Sequence, residues 1–125
     1  MFSHVMVGSN DIDRSKKFYD ALFASLGGKP GITDPKGRLI YLHKGGIFLV
    51  SKPIDGLEAC HANGGTIGFA ADSTEQADAW HKAGVAAGGT AIEDPPGWRE
   101  GGGARLYLAY LRDPDGNKIC TMLRG

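Results

Sequence analysis

The side chains most able to do chemistry in this sequence are a histidine near its beginning and a cysteine near its end. His4 precedes an alternating apolar run, and Cys120 lies inside the last apolar run. An imidazole can carry a proton near neutral pH, and a thiolate can bind a metal ion or act as a nucleophile. His4 is therefore either a polar anchor in a site or a strand residue satisfied by one hydrogen bond. We expect Cys120 to be a small buried apolar residue.

Composition argues against several classes of function. Lys plus Arg and Asp plus Glu number 14 each, so the chain has no basic excess for a nucleic acid. No apolar run reaches the roughly 18 residues that predict a membrane span, and the first residues do not resemble a secretory signal. Cys60 and Cys120 are the only cysteines, and without an export signal we expect two free thiols and a cytoplasmic location.

The elements that must position these residues follow the same order in both halves of the chain. In each half an alternating apolar strand precedes a helix, and a glycine doublet ends the helix. Asn10 is predicted to cap the first helix, and Ser73 with Gln76 forms a capping box for the second. Residues 94–103 are rich in proline and glycine and are predicted to form a loop. The predicted strands cover residues 2–8, 29–33, 38–43, 46–51, 66–71, 90–93, 106–111 and 119–123, and the helices end near residues 26 and 87.

The two halves superpose at an offset of 62 residues, which places His4 on Thr66 and indicates a duplication. Each half is predicted to contain a strand, a helix and three further strands. Module one covers about residues 1–53, and module two covers about residues 64–125. Two such βαβββ modules predict a single α+β domain in which a curved mixed sheet forms a cup and the helices cover its outer face.

Two segments carry a family resemblance. The first runs from His4 to Tyr19 and places Arg14-Ser15 shortly before Phe18-Tyr19. The second runs from Tyr110 to Ile119 and contains the turn sequence Asp113-Pro114-Asp115-Gly116-Asn117. With both segments in order around a half-length repeat, the chain resembles the vicinal oxygen chelate superfamily, which includes glyoxalase I, extradiol dioxygenases and bleomycin resistance proteins. The resemblance implies paired βαβββ modules, a cup that binds small molecules and, frequently, a homodimer.

The resemblance also implies four metal-ligand positions, a His or Gln on the first strand of each module and a Glu on the last. His4 matches one of these positions, and Thr66 and Cys120 fall on two others. The fourth falls near Phe48, or at Val50 if the alignment slips. One histidine and one cysteine do not hold a divalent ion tightly. We therefore predict no catalytic metal, no cofactor and no metal-dependent glyoxalase I activity.

A small-molecule site is expected on the inner wall of the cup. Trp98 and Arg99 lie in the predicted loop at its border, where Trp98 could stack on a planar ligand and Arg99 could hold a carboxylate. An exposed loop or a dimer contact explains the same two residues equally well. The predicted lining consists of His4, Met6, Phe48, Thr66, Cys120 and Met122.

Three functions are compatible with these residues. The first is a metal-free protein that binds an apolar or aromatic small molecule, as a cytoplasmic homodimer. The second is a structural or regulatory dimer whose cup is filled by its own side chains. The third is a glyoxalase-like lyase, isomerase or dioxygenase whose metal is held by His4, Cys120 and a distant histidine. The sequence favours them in that order and does not decide whether the protein is an enzyme.

Overall fold

The computed structural model describes all 125 residues and contains two helices and nine strands. The α+β class is confirmed, and both halves begin with a strand and a helix as the repeat predicts. The first half consists of β1 (Val5–Gly8), α1 (Ile12–Ser25), β2 (Ile32–Thr33), β3 (Leu39–His43) and β4 (Gly46–Ser51). The second half consists of β5 (Ile67–Ala70), α2 (Thr74–Ala86), β6 (Thr90–Ala91), β7 (Gly97–Gly101), β8 (Ala104–Arg112) and β9 (Lys118–Arg124).

Local capping fixes where the two helices begin. Asp11 caps α1, because its carboxylate accepts a hydrogen bond of 3.0 Å from the backbone N–H three residues later. The prediction that Asn10 is the cap is wrong, because the Asn10 amide bonds instead to both backbone groups of Ala59 in the linker. α2 begins at the predicted cap, where the Ser73 hydroxyl accepts from the N–H of Gln76. Neither helix has the length and apolar character needed to cross a membrane.

The strands form two mixed sheets, one in each module. The strand order is β1-β4-β3-β2 in module one and β5-β9-β8-β6 in module two, where β7 also pairs with β8. β1 and β4 are parallel, as are β5 and β9, and the remaining pairs are antiparallel. β1 and β5 are edge strands that are not hydrogen-bonded to each other, and residues of both strands line a cleft between the sheets.

One strand lies where a loop was predicted. Residues 94–103 contain β7, which pairs with β8 from Gly97 to Gly101. Gly102 and Gly103 join the two strands with φ angles of 57° and 77°. Two consecutive positive φ angles suit a tight hairpin, and glycine adopts them without strain. The glycine run is therefore a hairpin turn and not an open loop.

The main hydrophobic core, of 14 buried residues, joins the two modules. Phe18 of α1 and Trp80 of α2 are fully buried within it. Phe48 of module one meets Phe69 of module two with 5.3 Å between ring centroids. Gly84 of α2 permits close packing against both β8 and α1, because a Cβ at this position would lie 2.3 Å from Leu111 of β8 and 3.0 Å from Leu22 of α1. The modules therefore share one interior and are not independent bodies joined by a linker.

The two segments that carry the family resemblance touch each other. The turn between β8 and β9 packs against the first turns of α1, where the Asp115 carboxylate accepts from the Asn10 N–H at 2.8 Å and the Ser15 hydroxyl at 3.2 Å. The Tyr19 hydroxyl donates to Asp113 at 2.6 Å. These contacts connect the start of module one to the end of module two.

Candidate functional site

Each sheet has one face that the helices cover and one open face. Strand alternation puts Met6 and its β4 partner Leu49 on the open face of module one. Phe48, which was predicted to line the cup beside Met6, lies on the opposite face within the aromatic core under α1. The difference arises because successive residues of a strand face opposite sides of the sheet, so an alignment error of one residue moves a side chain to the other face.

The strand register also corrects the fourth predicted ligand position. Met6 pairs with Leu49 in module one, and Gly68 pairs with Cys120 in module two. Met6 and Gly68 are equivalent in the repeat, so the counterpart of Cys120 is Leu49 and not Phe48 or Val50. Like those two residues, a leucine has no donor atom for a metal ion.

The donor set at the four positions does not fit the metal that the family implies. His4 is exposed and bonds to the Ser3 hydroxyl through Nδ1 at 2.8 Å. Thr66 is also exposed. One imidazole, one hydroxyl, one thiol and the Leu49 side chain offer fewer strong donors than a divalent ion needs. Elsewhere in the chain no three His, Cys, Asp or Glu side chains cluster closely enough to share an ion.

Cys120 lies where the sheet of module two makes a thiol unreactive. It is only 7% exposed, between Gly68 on β5 and Tyr110 on β8. Burial raises the pKa of the Cys120 thiol, and the nearby Lys118 ammonium does not fully offset this effect. A thiol with a raised pKa stays protonated near neutral pH and is a poor nucleophile.

Trp98 and Arg99 contact different groups, because adjacent residues of β7 face opposite sides of the sheet. Trp98 packs against Tyr107 with 5.2 Å between ring centroids, and the Arg105 guanidinium lies 4.2 Å from the Trp98 ring. The Arg99 guanidinium is already satisfied and holds the chain before β7 against β8. Its backbone acceptors are the carbonyls of Asp94, Pro95, Gly97 and Leu108.

An apolar cavity of about 260 Å³ lies in the cleft between the modules, and we call it the inter-module cavity. The end of α1 contributes Phe23 and Leu26 to its wall, and the β4 residue Phe48 lies beside them. Phe69 and the neighbouring residues of β5 form the opposite wall. Both modules are therefore needed to enclose the space.

The two basic side chains of the inter-module cavity are neighbours in the chain. His43 and Lys44 end β3 and begin its turn, and they are the only basic side chains of the lining. The Nε2 atom of His43 is buried and has no hydrogen-bond partner. Lys44 reaches across to module two and forms an ion pair of 2.5 Å with Asp72. We call His43 and Lys44 the polar corner.

A second cavity of about 320 Å³ lies at the other end of the same cleft. It brings together two of the predicted site residues, Met6 and Thr66, beside Cys60 and Lys118. Of the other predicted residues, His4 remains outside both cavities, and Cys120 and Met122 lie on the open face of module two.

Sequence reasoning missed the residues of the polar corner. Alternation along β3 from Leu39 through Tyr41 puts His43 on the buried face, and that signal was available in the sequence. The missing hydrogen bond at Nε2 was not available, because it depends on which elements pack around the ring.

The chain belongs to the Glyoxalase/Bleomycin resistance protein/Dioxygenase superfamily, whose family model matches residues 1–121. The resemblance inferred from the two sequence segments is thereby confirmed. The chain is similar to a glyoxalase/bleomycin resistance protein from Albidiferax ferrireducens T118, whose crystal structure covers 98% of both chains at 58% sequence identity and a TM-score of 0.94.

More distant structures share the fold alone. The hypothetical protein SA1046 from S. aureus matches 98% of this chain and 93% of its own at 18% identity, with a TM-score of 0.74. A lactoylglutathione lyase from Agrobacterium tumefaciens matches 98% of this chain and 92% of its own at 19% identity, with a TM-score of 0.65. Among curated proteins no significant match is found.

Proposed function

We propose that this protein binds a small apolar molecule in the inter-module cavity without a resident metal ion. The observation that carries the proposal is the cavity itself, about 260 Å³ of mostly apolar space that both modules enclose. Apolar cavities of about 150 Å³ bind benzene in other proteins, so this one has room for a molecule of one or two rings. Membership of a superfamily that includes small-molecule-binding proteins supports the same function.

Two observations favour this function over the alternatives. The cleft is not filled by the protein's own side chains, which argues against a purely structural dimer with a filled cup. The family ligand positions hold only one imidazole and one buried thiol, which argues against a glyoxalase-like metal enzyme. Stoichiometric zinc, nickel, iron or manganese in protein purified without added metal would contradict the second point.

Binding without turnover is favoured because the cavity lining offers few groups that exchange protons. The Tyr41 hydroxyl is bonded to Asp20 at 2.7 Å, and burial together with this carboxylate raises the pKa of Tyr41 far above its ordinary value. No carboxylate, serine or cysteine lines the cavity. His43 alone could act as an acid or a base, and a lone imidazole serves equally well as a hydrogen-bonding anchor.

The proposal is tested by filling the cavity from β5. Ala70 lines the cavity, whereas Ala91 is an exposed alanine on another edge strand of the same sheet and does not. We expect 2-naphthol to raise the melting temperature of the wild type and of Ala91→Phe, and to have little effect on Ala70→Phe. Equal stabilisation of all three proteins would place the ligand elsewhere, and no stabilisation of the wild type at millimolar 2-naphthol would refute the proposal.

We further propose that the protein is a cytoplasmic homodimer. Both cysteines are free thiols, which supports a reducing compartment. The open face of module one exposes large apolar side chains, including Leu42 at 59% and Ile47 at 40%, and a second copy of the chain is the partner that the family resemblance suggests.

A further inference from the structure

We propose a second binding site, for a small organic phosphate, at one end of the open face of module one. It is a cavity of about 590 Å³ whose lining contains Lys36, Arg38 and Lys52 but no acidic side chain, and we call it the basic pocket. The phosphate pairs with the Arg38 guanidinium, and the apolar part of the ligand covers Met6. The basic pocket shares no residue with the inter-module cavity, and none of the four family metal-ligand positions lines it. This inference is therefore independent of the proposed function.

The pairing of β3 with β4 brings the three basic residues together. Arg38 directly precedes β3, and Lys52 directly follows β4. Because Leu39 pairs with Val50 in the antiparallel register, Arg38 and Lys52 lie at the same end of the sheet. Lys36 lies in the turn between β2 and β3, at the same end. The basic pocket therefore combines residues from both sides of the β3–β4 hairpin.

Asp34 orients the Arg38 guanidinium and leaves its terminal nitrogens free. The Oδ1 atom of Asp34 accepts the backbone N–H groups of Lys36 and Arg38, each at 2.9 Å, and Oδ2 accepts Nε–H of Arg38 at 2.6 Å. Nη1 and Nη2 of Arg38 make no hydrogen bond within the chain, and 38% of the side chain is exposed. A guanidinium binds carboxylate or phosphate oxygens through two parallel N–H donors. Arg38 therefore offers an oriented and accessible pair of donors to an anion.

Lys36 and Lys52 give the basic pocket an excess of positive charge. Neither ammonium forms an ion pair within the chain, whereas the Arg38 guanidinium has one carboxylate partner. On their other side the two lysines border a groove that contains Asp11 and Asp13, and neither of these carboxylates pairs with them. Two positive charges thus remain without a partner, which favours a dianion over a monoanion. A phosphate monoester carries close to two negative charges at neutral pH.

Apolar side chains beside these charges favour an organic phosphate over the inorganic ion. Met6 is 44% exposed and Ile54 is fully exposed, and both line the basic pocket. A ligand body that covers them removes apolar surface from water. Leu42, at the proposed dimer contact, is four residues further along β3 than Arg38, or about 13 Å. A second copy can therefore cover Leu42 without closing the basic pocket.

Three probes separate the contributions of ring and charge: phenyl phosphate, inorganic phosphate and benzenesulfonate. Chemical-shift titrations are made at about 0.15 M salt, which screens weak attraction to the surface. We expect phenyl phosphate to bind about 10-fold more tightly than inorganic phosphate, because only its ring covers Met6. Benzenesulfonate has the same ring and a single charge, and it should bind about threefold more weakly than phenyl phosphate. Equal affinity for the two phosphates would refute an organic ligand, and equal affinity for the two ring compounds would refute the preference for a dianion.

Variants of Arg38 test the guanidinium directly. In Arg38→Gln the affinity for phenyl phosphate should fall about 10-fold. Arg38→Lys keeps the charge but not the paired donors, so its affinity should fall about threefold. Arg124→Gln is the matched control, because Arg124 is exposed, forms no ion pair and lies outside the basic pocket, and its affinity should equal that of the wild type. An equal loss in both glutamine variants would mean that overall charge attracts the phosphate, and it would overturn the inference.

A second measurement does not depend on whether the Arg38 variants fold. In wild-type protein labelled with nitrogen-15, phenyl phosphate should shift the backbone N–H resonances of Gly37, Arg38 and Lys52. It should not shift the resonance of Phe69 in the inter-module cavity. Shifts at Phe69 without shifts at Arg38 would place the phosphate in the inter-module cavity, and no saturable shift at millimolar phenyl phosphate would show that the basic pocket binds none. Either result overturns the inference and leaves the test with 2-naphthol unaffected.

Discussion

Asp20 lies on α1 at a point where three donors of module one converge on one carboxylate. The Gly31 N–H and the Tyr41 hydroxyl both donate to Oδ1, at 2.9 and 2.7 Å, and the Lys16 ammonium donates to Oδ2 at 2.6 Å. Burial by itself would raise the pKa of Asp20, but these hydrogen bonds outweigh it and lower the pKa. The carboxylate thereby holds the chain after α1 and the β3 tyrosine that lines the inter-module cavity.

Two substitutions at Asp20 should differ in cost because the donors divide between its oxygens. Asp20→Asn keeps an acceptor for Gly31 and Tyr41 and loses only the ion pair with Lys16, so we expect a loss of at most about 1 kcal/mol of unfolding free energy. Asp20→Ala leaves both donors without their acceptor and should cost about 2–3 kcal/mol. Urea denaturation at neutral pH measures both values, and equal losses would contradict this division.

The lowered pKa of Asp20 also fixes the sign of a pH effect. Because the folded state holds the proton less tightly than the unfolded state, the stabilisation is complete above the unfolded pKa of about 4 and is lost as the pH falls through the lower, folded pKa. Asp20→Asn cannot lose this contribution on acidification. The difference in unfolding free energy between wild type and Asp20→Asn should therefore shrink below about pH 4, and a constant difference would contradict the assignment.

Individual site residues were predictable only where strand alternation decides the answer. Met6 lies on an open sheet face as its position in β1 predicts, and Cys120 is buried as expected. Phe48 was expected on the face of Met6 but lies on the opposite face, where it lines the inter-module cavity, because one residue of register reverses the face and no sequence signal in β4 fixes that register. The unpaired nitrogen of His43 depends on packing between α1, β3 and module two, which local patterns do not encode.

At the scale of elements, the turn between β8 and β9 stabilises the start of α1. Asp115 is almost fully buried, with 1% of its side chain exposed, and it accepts from the Asn10 N–H and from the Arg14 guanidinium, each at 2.8 Å. A carboxylate at a helix N-terminus also interacts favourably with the helix dipole. Gly116 closes the turn with φ of 90°, a conformation that glycine adopts without strain.

Removing the Asp115 carboxylate should lower the free energy of unfolding far more than removing an exposed carboxylate. Asp115→Ala leaves the Asn10 N–H and the Ser15 hydroxyl without this acceptor and separates the Arg14 charge from its partner, so we expect a loss of about 3 kcal/mol. Asp55→Ala is the matched control, because Asp55 is exposed and its carboxylate accepts only the Leu57 N–H. The Asp55→Ala variant should lose less than about 1 kcal/mol of unfolding free energy. Denaturant unfolding compares the two, and similar losses would mean that the turn does not hold the modules together.

Elements with strong local signals were predicted well, and those held by distant contacts were not. The cap at Ser73 and the turn at Lys44-Gly45 are local and lie where the sequence predicts, although the Gln76 side chain accepts from the Asp72 N–H and so does not complete a capping box. β7 was missed because its glycines resemble a loop and because it is held by antiparallel pairing with β8, which local patterns do not encode. β2 and β6 contain two residues each, too few for alternation to define.

At the scale of the whole molecule, the inter-module cavity could not be predicted from either half of the sequence. Its walls come from α1, β3 and β4 on one side and from β5 on the other, so it exists only after the modules share a core. The repeat predicts that two similar modules form and does not predict the distance between their β1 and β5 edges. That distance decides whether the edges pair or enclose a cavity.

The open face of module one leads to the last prediction, which concerns assembly. Leu42 is 59% exposed on this face, and Val85 is 46% exposed on α2, so both are accessible apolar side chains in different places. If a second copy covers the open face, Leu42→Glu introduces a charge into the interface and should shift the protein from dimer to monomer. Val85→Glu should leave the dimer intact, because nothing in the proposal places α2 at the interface. Sedimentation velocity at micromolar concentrations measures both variants. A monomeric wild type, or a Leu42→Glu variant that remains dimeric, would refute the use of this face, and dissociation of Val85→Glu alone would place the interface on the helices.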